Sequence, residues 1–141
     1  MAGRGCPGEA QYALDSICLP AHNLQVVEVV VLDEFEAWYR ALDERDAEQV
    51  AVVVDLLESK GVALGFPYSS DIKGSRGGLS ELRVQSGGRP LRVLYAFDPL
   101  RQAVLILGGD KTGNDRFYRE AVRKAEILWS TYLAEIANEE D

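Results

Sequence analysis

Residues 79–109 read LSELRVQSGGRPLRVLYAFDPLRQAVLILGG, and how this stretch is read decides the fold. Residues of two kinds alternate along its middle. Leu91, Val93, Tyr95 and Phe97 fall on one side, and Arg92, Leu94, Ala96 and Asp98 on the other. A period of two belongs to a β-strand, whose successive side chains point to opposite faces. Ser86-Gly87-Gly88 sits where a hairpin loop is needed, and Asp98-Pro99 begins a second turn. Three antiparallel strands in a meander are expected, at about 79–85, 90–97 and 103–108.

Upstream, VVEVVVL (Val26 to Leu32) is short and β-branched, as a buried strand is. Asp33 with Glu36 three residues on resembles a capping box, and Phe35, Trp38 and Leu42 follow at helical spacing. Asp43 can cap a second helix, in which Val50, Val53, Val54 and Leu57 recur at i, i+3, i+4 and i+7 before Gly61 stops it. The run AVVVDLL inside it also fits a strand, but its flanks, DERDAEQ and ESK, favour helix. Residues 61–78 read as irregular. Downstream of GGDKTG, the residues Tyr118, Ala121, Ala125, Leu128 and Tyr132 form one stripe of a long helix. The expected fold is α+β: a strand, two antiparallel helices on one face of a mixed sheet, a three-stranded meander and a C-terminal helix.

The 141 residues suffice for one core. That domain is expected over 26–137, with a disordered arm or an over-extended reading frame at 1–25 and a fraying acidic tail at 138–141. No apolar run approaches the ~20 residues of a membrane helix, and the first residues lack the basic and apolar regions of a signal peptide. A cytoplasmic protein is expected. Cys6, Cys18 and His22 are the only cysteines and histidine, and they do not have the spacing of a metal site. No metal or cofactor is expected.

Net charge is −8, but it is unevenly spread: −6 over 33–60 and +3 over 61–113. An acidic chain with one basic segment suggests a local anion-binding face, against the plainer alternative of a solvated strand face. A Ser-His-Asp system is excluded in practice by the single histidine in the arm. GGDKTG is no Walker loop, because Lys111-Thr112 precedes Gly113 instead of following the required glycine. The basic meander carries more. Arg83 and Arg92 on neighbouring strands can converge, with Lys111 closing the same concavity and Lys73 and Arg76 reaching it from the long loop. Guanidinium groups bind phosphate in a planar fork and stabilise the charge of phosphodiester cleavage. With a tyrosine to transfer protons, such a site is a metal-free ribonuclease in which the RNA's own 2′-OH attacks.

The segments VVLDEFEAWYRAL, GFPYSSDIKGSRGGLSELRVQSGGRPLRVLYAFD and LILGGDKTGNDRFYREAV make residues from about Val26 to Ala134 resemble the RelE/ParE superfamily, closest to its HigB-like, phage-derived branch. The resemblance implies a RelE-like small domain and a toxin that cuts translated messenger RNA, usually at the ribosome. It also implies a cognate antitoxin, commonly of helix-turn-helix type, through which the complex binds its own operator. Carried over to this sequence, Arg83, Arg92, Lys111 and Tyr118 are the implied catalytic set. Lys73, Arg76 and Arg89 are assigned to the RNA-binding margin. Glu81 departs from relatives with a second lysine on the first meander strand, and Asp110-Lys111 from those with a doubled lysine.

Each assignment has a structural rival. Tyr118 also begins an apolar stripe, Arg89 beside a turn is also a solvated charge, and Arg83 and Arg92 can pair with Glu81 or Asp98 instead. Two other functions stay open. A ParE-like, non-catalytic gyrase inhibitor would leave Arg83, Arg92 and Lys111 on different faces. A degenerate toxin would keep only antitoxin binding.

Overall fold

The computed structural model describes residues 26–113 and 115–140. The expected arm, with Cys6, Cys18 and His22, lies outside them. The elements run β1 (Val29–Val31), α1 (Asp33–Arg40), α2 (Glu44–Lys60), a 3-10 turn (Gly61–Ala63), β2 (Ser69–Asp71), β3 (Ser80–Ser86), β4 (Arg89–Phe97), β5 (Ala103–Asp110) and α3 (Asp115–Glu140). The fold is α+β, with one sheet in the order β1-β5-β4-β3-β2. β1 runs parallel to β5, and every other pairing is antiparallel.

The meander forms where the alternation places it. Gly87 and Gly88 have φ of 58° and 80°, as a two-residue hairpin turn of type I′ requires. That turn sets Ser86 opposite Arg89, and hence Arg83 opposite Arg92 and Glu81 opposite Leu94. One irregularity follows. Leu94 pairs with Leu107 but Tyr95 with Leu105, so Ile106 is an extra residue on β5. The bulge exchanges the faces of the strand beyond it, and puts Leu107, Gly109 and Lys111 on the same side as Arg92.

Both faces of the sheet are covered. Phe35, Val50, Val53 and Leu57 of α1 and α2 pack on Leu82, Val84, Leu91, Val93 and Tyr95. On the other face Ala125 and Trp129 of α3 pack on Leu94, Ala96, Val104 and Ile106. The expected helix pair thus shares one face, and the C-terminal helix occupies the opposite one. Burying each large side chain contributes about 1.5–3 kcal/mol, which anchors the sheet from both sides.

Local signals explain the helix ends, with corrections. The Asp43 carboxylate accepts the Asp46 N–H at 2.8 Å and caps α2, and Gly61 ends that helix at φ 57°. The AVVVDLL run is helical. At α1, Asp33 is the first helical residue, and the cap position falls on Leu32 without a side-chain bond. β2 lies inside the stretch expected to be irregular. At the β4–β5 turn the buried Asp98 carboxylate accepts both the backbone and side-chain N–H groups of Gln102 and the Tyr132 hydroxyl, each at 2.8 Å. α3 is thereby pinned to the sheet at one end, while its first turn lies at the other, beside β3 and β4. No helix among the described residues is long and apolar enough to cross a membrane.

Candidate functional site

Strand alternation and the hairpin register bring Glu81, Arg83 and Arg92 to the face covered by α3. Tyr118, in the first turns of α3, leans over them. Lys111 follows β5 directly and is fixed there because its N–H donates to the Pro90 carbonyl at 2.8 Å. The four residues expected to act together, Arg83, Arg92, Lys111 and Tyr118, are gathered in one place.

The centre of the cluster is Glu81, which the sequence offers only as a rival ion-pair partner of the two arginines and not as a site residue. Glu81 is 5% exposed. One oxygen accepts the Tyr118 hydroxyl. The other accepts Arg83 Nη1 at 3.1 Å and the Ser70 hydroxyl at 3.3 Å, and lies 3.8 Å from Arg92 Nε. The two guanidiniums, opposite each other across β3 and β4, would repel without it. Glu81 is the counter-charge that lets them share one site. A signal for it was present: the turn type fixes the register, and the register sets Glu81 diagonal to Arg92.

Arg92 is 8% exposed. Its Nη1 donates to the Leu91 carbonyl at 3.0 Å, while its buried Nε has no hydrogen-bond partner among the described residues. A buried, unpaired donor carries a desolvation cost unless something completes it. Burial first, and then Arg83, push the Arg92 guanidinium below its ordinary value, against the opposing charges of Glu81 and Tyr118. The chain thus keeps a cation where its surroundings disfavour one. Beside it lies a small cavity of about 10 Å³ lined by Arg92, Gly109, Lys111, Tyr118 and Ala121. Gly109, directly across from Arg92, puts no side chain into that space.

Burial raises Tyr118, and the hydrogen bond and charge of Glu81 raise it further, more than Arg92 and Arg83 lower it. Tyr118 therefore holds its proton at neutral pH and can act as a donor but not as a base. The Lys111 ammonium sits over its ring, 4.3 Å from the centroid, and narrows the way in.

None of the three margin residues makes a hydrogen bond or ion pair with the cluster among the described residues. Arg89 is three positions from Arg92 and so projects from the other face of β4. There it pairs with Asp46 of α2 and, at 3.1 Å, with Asp110. Asp46 also accepts the Ser86 hydroxyl at 2.5 Å. That bond first, and Arg89 next, hold the Asp46 carboxyl below the usual range. Arg89 is thus a brace between α2, the hairpin and the end of β5. Arg76 is exposed, and its backbone N–H donates to Glu126 on α3 at 2.7 Å; it borders a separate groove with Arg123 and Trp129. Lys73 is exposed on the same loop. Asp98 is taken up by Gln102 and Tyr132, so it is no partner of the site arginines. In GGDKTG, Asp110 accepts the Thr112 N–H at 2.8 Å, which makes the loop a local turn. Among the described residues no three His, Cys, Asp or Glu side chains gather as metal ligands.

Residues 37–130 match the family described as phage derived protein Gp49-like (DUF891). Two curated proteins of Mycobacterium tuberculosis, both named as toxins, are similar over most of the chain. HigB2 is 36% identical over 107 residues, 74% of this chain but 53% of the relative, so the chain spans about half of that protein's length. HigB3 is 39% identical over 108 residues, covering 75% of this chain and 93% of the relative. No solved structure gives a significant match. These matches lead to one assignment: the chain belongs to the phage-derived Gp49-like family, in its HigB-like branch.

Proposed function

We propose that the chain is the toxin of a type II toxin–antitoxin pair and a metal-independent endoribonuclease that cuts translated messenger RNA at the ribosome. The observation that carries the reading is Arg92: a buried guanidinium whose Nε faces Glu81 at 3.8 Å but has no hydrogen bond among the described residues, beside a cavity bordered by Lys111 and Tyr118. A phosphodiester is the ligand chemistry that such a group lacks.

The residues divide the work as follows. Glu81 accepts the proton of the RNA 2′-OH as general base. The 2′-oxygen then forms its bond to the adjacent phosphorus. Arg83, Arg92 and Lys111 stabilise the charge that accumulates on the phosphoryl oxygens. Tyr118, which keeps its proton, gives it to the departing 5′-oxygen as the P–O5′ bond breaks. The products are a 2′,3′-cyclic phosphate and a 5′-hydroxyl. The bond between the Tyr118 and Glu81 side chains then returns the proton from carboxyl to phenol, and the site is reset.

RNA must move Lys111 off the Tyr118 ring to reach Arg92. A ribosome that presents the message in fixed geometry lowers that cost, which supports action on translated RNA. The sheet with helices on both faces supports the RelE-like arrangement. Family membership supports a cognate antitoxin of helix-turn-helix type, operator binding through that antitoxin, and a cytoplasmic site of action.

One observation favours a second reading. Glu81 neutralises part of the cationic cluster and occupies Tyr118, as a toxin retained only to bind its antitoxin would allow. A gyrase-inhibiting, ParE-like binder is supported less, because Arg83, Arg92 and Lys111 share one face. Inducing the wild type and Arg92→Ala in a bacterium without antitoxin, with message cleavage mapped, separates the three. Arrest with cuts in translated codons that vanish in Arg92→Ala is the expected result. Arrest with intact messages would favour gyrase inhibition, and no arrest the degenerate toxin.

A further inference from the structure

Arg83 touches more than Glu81. Its guanidinium also lies over the ring of Phe66, 5.4 Å from the centroid. Phe66 stands on the loop between the 3-10 turn and β2 and is 77% exposed. Its loop is well fixed: the Tyr68 and Ser69 N–H groups donate to the Gly65 carbonyl at 3.0 and 3.1 Å, and the Arg83 N–H donates to the Tyr68 carbonyl at 2.8 Å. Phe66 and Tyr68 are both exposed aromatic side chains, two positions apart on this loop.

A single exposed aliphatic side chain needs no explanation. An exposed phenylalanine held against a site arginine is different in kind. Arg83 covers part of the ring and leaves most of its surface open. The Arg83 side chain is itself 31% exposed, so it can still take a phosphate oxygen while stacked. Ring, guanidinium and carboxylate thus form a continuous series from Phe66 through Arg83 to Glu81. Single-stranded RNA is held in this way elsewhere in nature, with an unstacked base on an aromatic face and the neighbouring phosphate on a cation.

We propose that Phe66 is a nucleobase platform, which stacks a base of single-stranded RNA next to the phosphate held by Arg83. The proposal rests on the ribonuclease reading and names a subsite of that same site. The ring offers no hydrogen-bonding group, so the platform accepts any base with little sequence preference.

The test uses ribosomes programmed with a short synthetic message, the full-length protein, and messages lacking the base on one or the other side of the cut. Phe66→Leu should cut roughly tenfold more slowly at low protein concentration, as the loss of one base stack implies. Phe66→Trp should cut at least as fast as the wild type. Removing the stacked base should slow the wild type by a similar factor, yet leave Phe66→Leu no slower than before. Phe66 is exposed, so neither variant disturbs the core. Equal rates for Phe66→Leu and the wild type, with cutting still dependent on Arg92, would overturn the platform and leave the ribonuclease reading standing. Absence of cutting by the wild type would overturn the ribonuclease reading, and the platform with it.

Discussion

Replacing Glu81 with glutamine removes one charge and almost no volume, and the structure says what should follow. Glutamine can still accept the Tyr118 hydroxyl, but Arg83 and Arg92 lose their shared counter-ion. At 3.8 Å, the Arg92–Glu81 separation, attraction between unit charges is roughly 4 kcal/mol at an effective dielectric near 20. Arg83 lies closer, at 3.1 Å, but its side chain is 31% exposed and water screens much of that attraction. Removing one member of a buried pair generally costs about 3–5 kcal/mol. The retained hydrogen bond and the screening of Arg83 place Glu81→Gln near the lower end, at about 3 kcal/mol. For a chain of this size that corresponds to a melting temperature roughly 10 °C lower. Calorimetry at neutral pH and low salt measures it. Inorganic phosphate should then raise the melting temperature of the variant more than that of the wild type, because an anion can replace the missing carboxylate; saturation at about 100 times Kd is worth ~2.7 kcal/mol. A variant that melts within about 2 °C of the wild type, with phosphate shifting both equally, would refute the reasoning that Glu81 compensates the two guanidiniums.

Three further outcomes follow from the geometry. Burial first and then Asp98 push Tyr132 up to about 12. Its folded value lies above the unfolded one of about 10, so its contribution is complete below that pH and is lost as pH rises toward 12. Tyr132→Phe should therefore unfold about 1 kcal/mol more easily at neutral pH, with the difference shrinking across that alkaline window in urea titrations. Gly108→Ala would put a Cβ 2.3 to 2.6 Å from atoms of the Trp38 ring; an overpacking cost of about 1–3 kcal/mol should appear as a lower urea midpoint. Arg89→Ala should melt earlier at neutral pH, with the difference shrinking toward acid pH as Asp46 and Asp110 take up protons, yet retain message cleavage; loss of cleavage at unchanged stability would return Arg89 to the RNA site.

Much of this could be read in the sequence, for definite reasons. Period-two alternation and a Gly-Gly turn carry both strand identity and register, so the pairing of Arg83 with Arg92 was implicit in residues 83–92. The same parity separates Arg89 from Arg92, and applying it would have removed Arg89 from the RNA margin. The central place of Glu81 is harder to read, for a different reason. Beside two arginines an acid reads as a loss of positive charge, whereas in three dimensions it is what allows two guanidiniums to be buried together. The bulge at Ile106 left no local mark, because AVLILGG is apolar throughout and either face could have been inward. β2, at three residues, is too short for periodicity; it exists because Ser70 and its neighbours pair with the edge of β3. Phe66 is legible as one of two aromatics, with Tyr68, in an irregular stretch, but only the fold sets it beside Arg83.

The chemistry of the cut ends tests the central claim most directly. Messages cleaved on programmed ribosomes by the wild type should carry 5′-hydroxyl ends and 2′,3′-cyclic phosphates, and Glu81→Gln and Arg92→Ala should each yield far fewer of them. Fragments with 5′-phosphate ends would mean that water, not the 2′-OH, attacks, and would contradict the roles assigned to Glu81 and Tyr118.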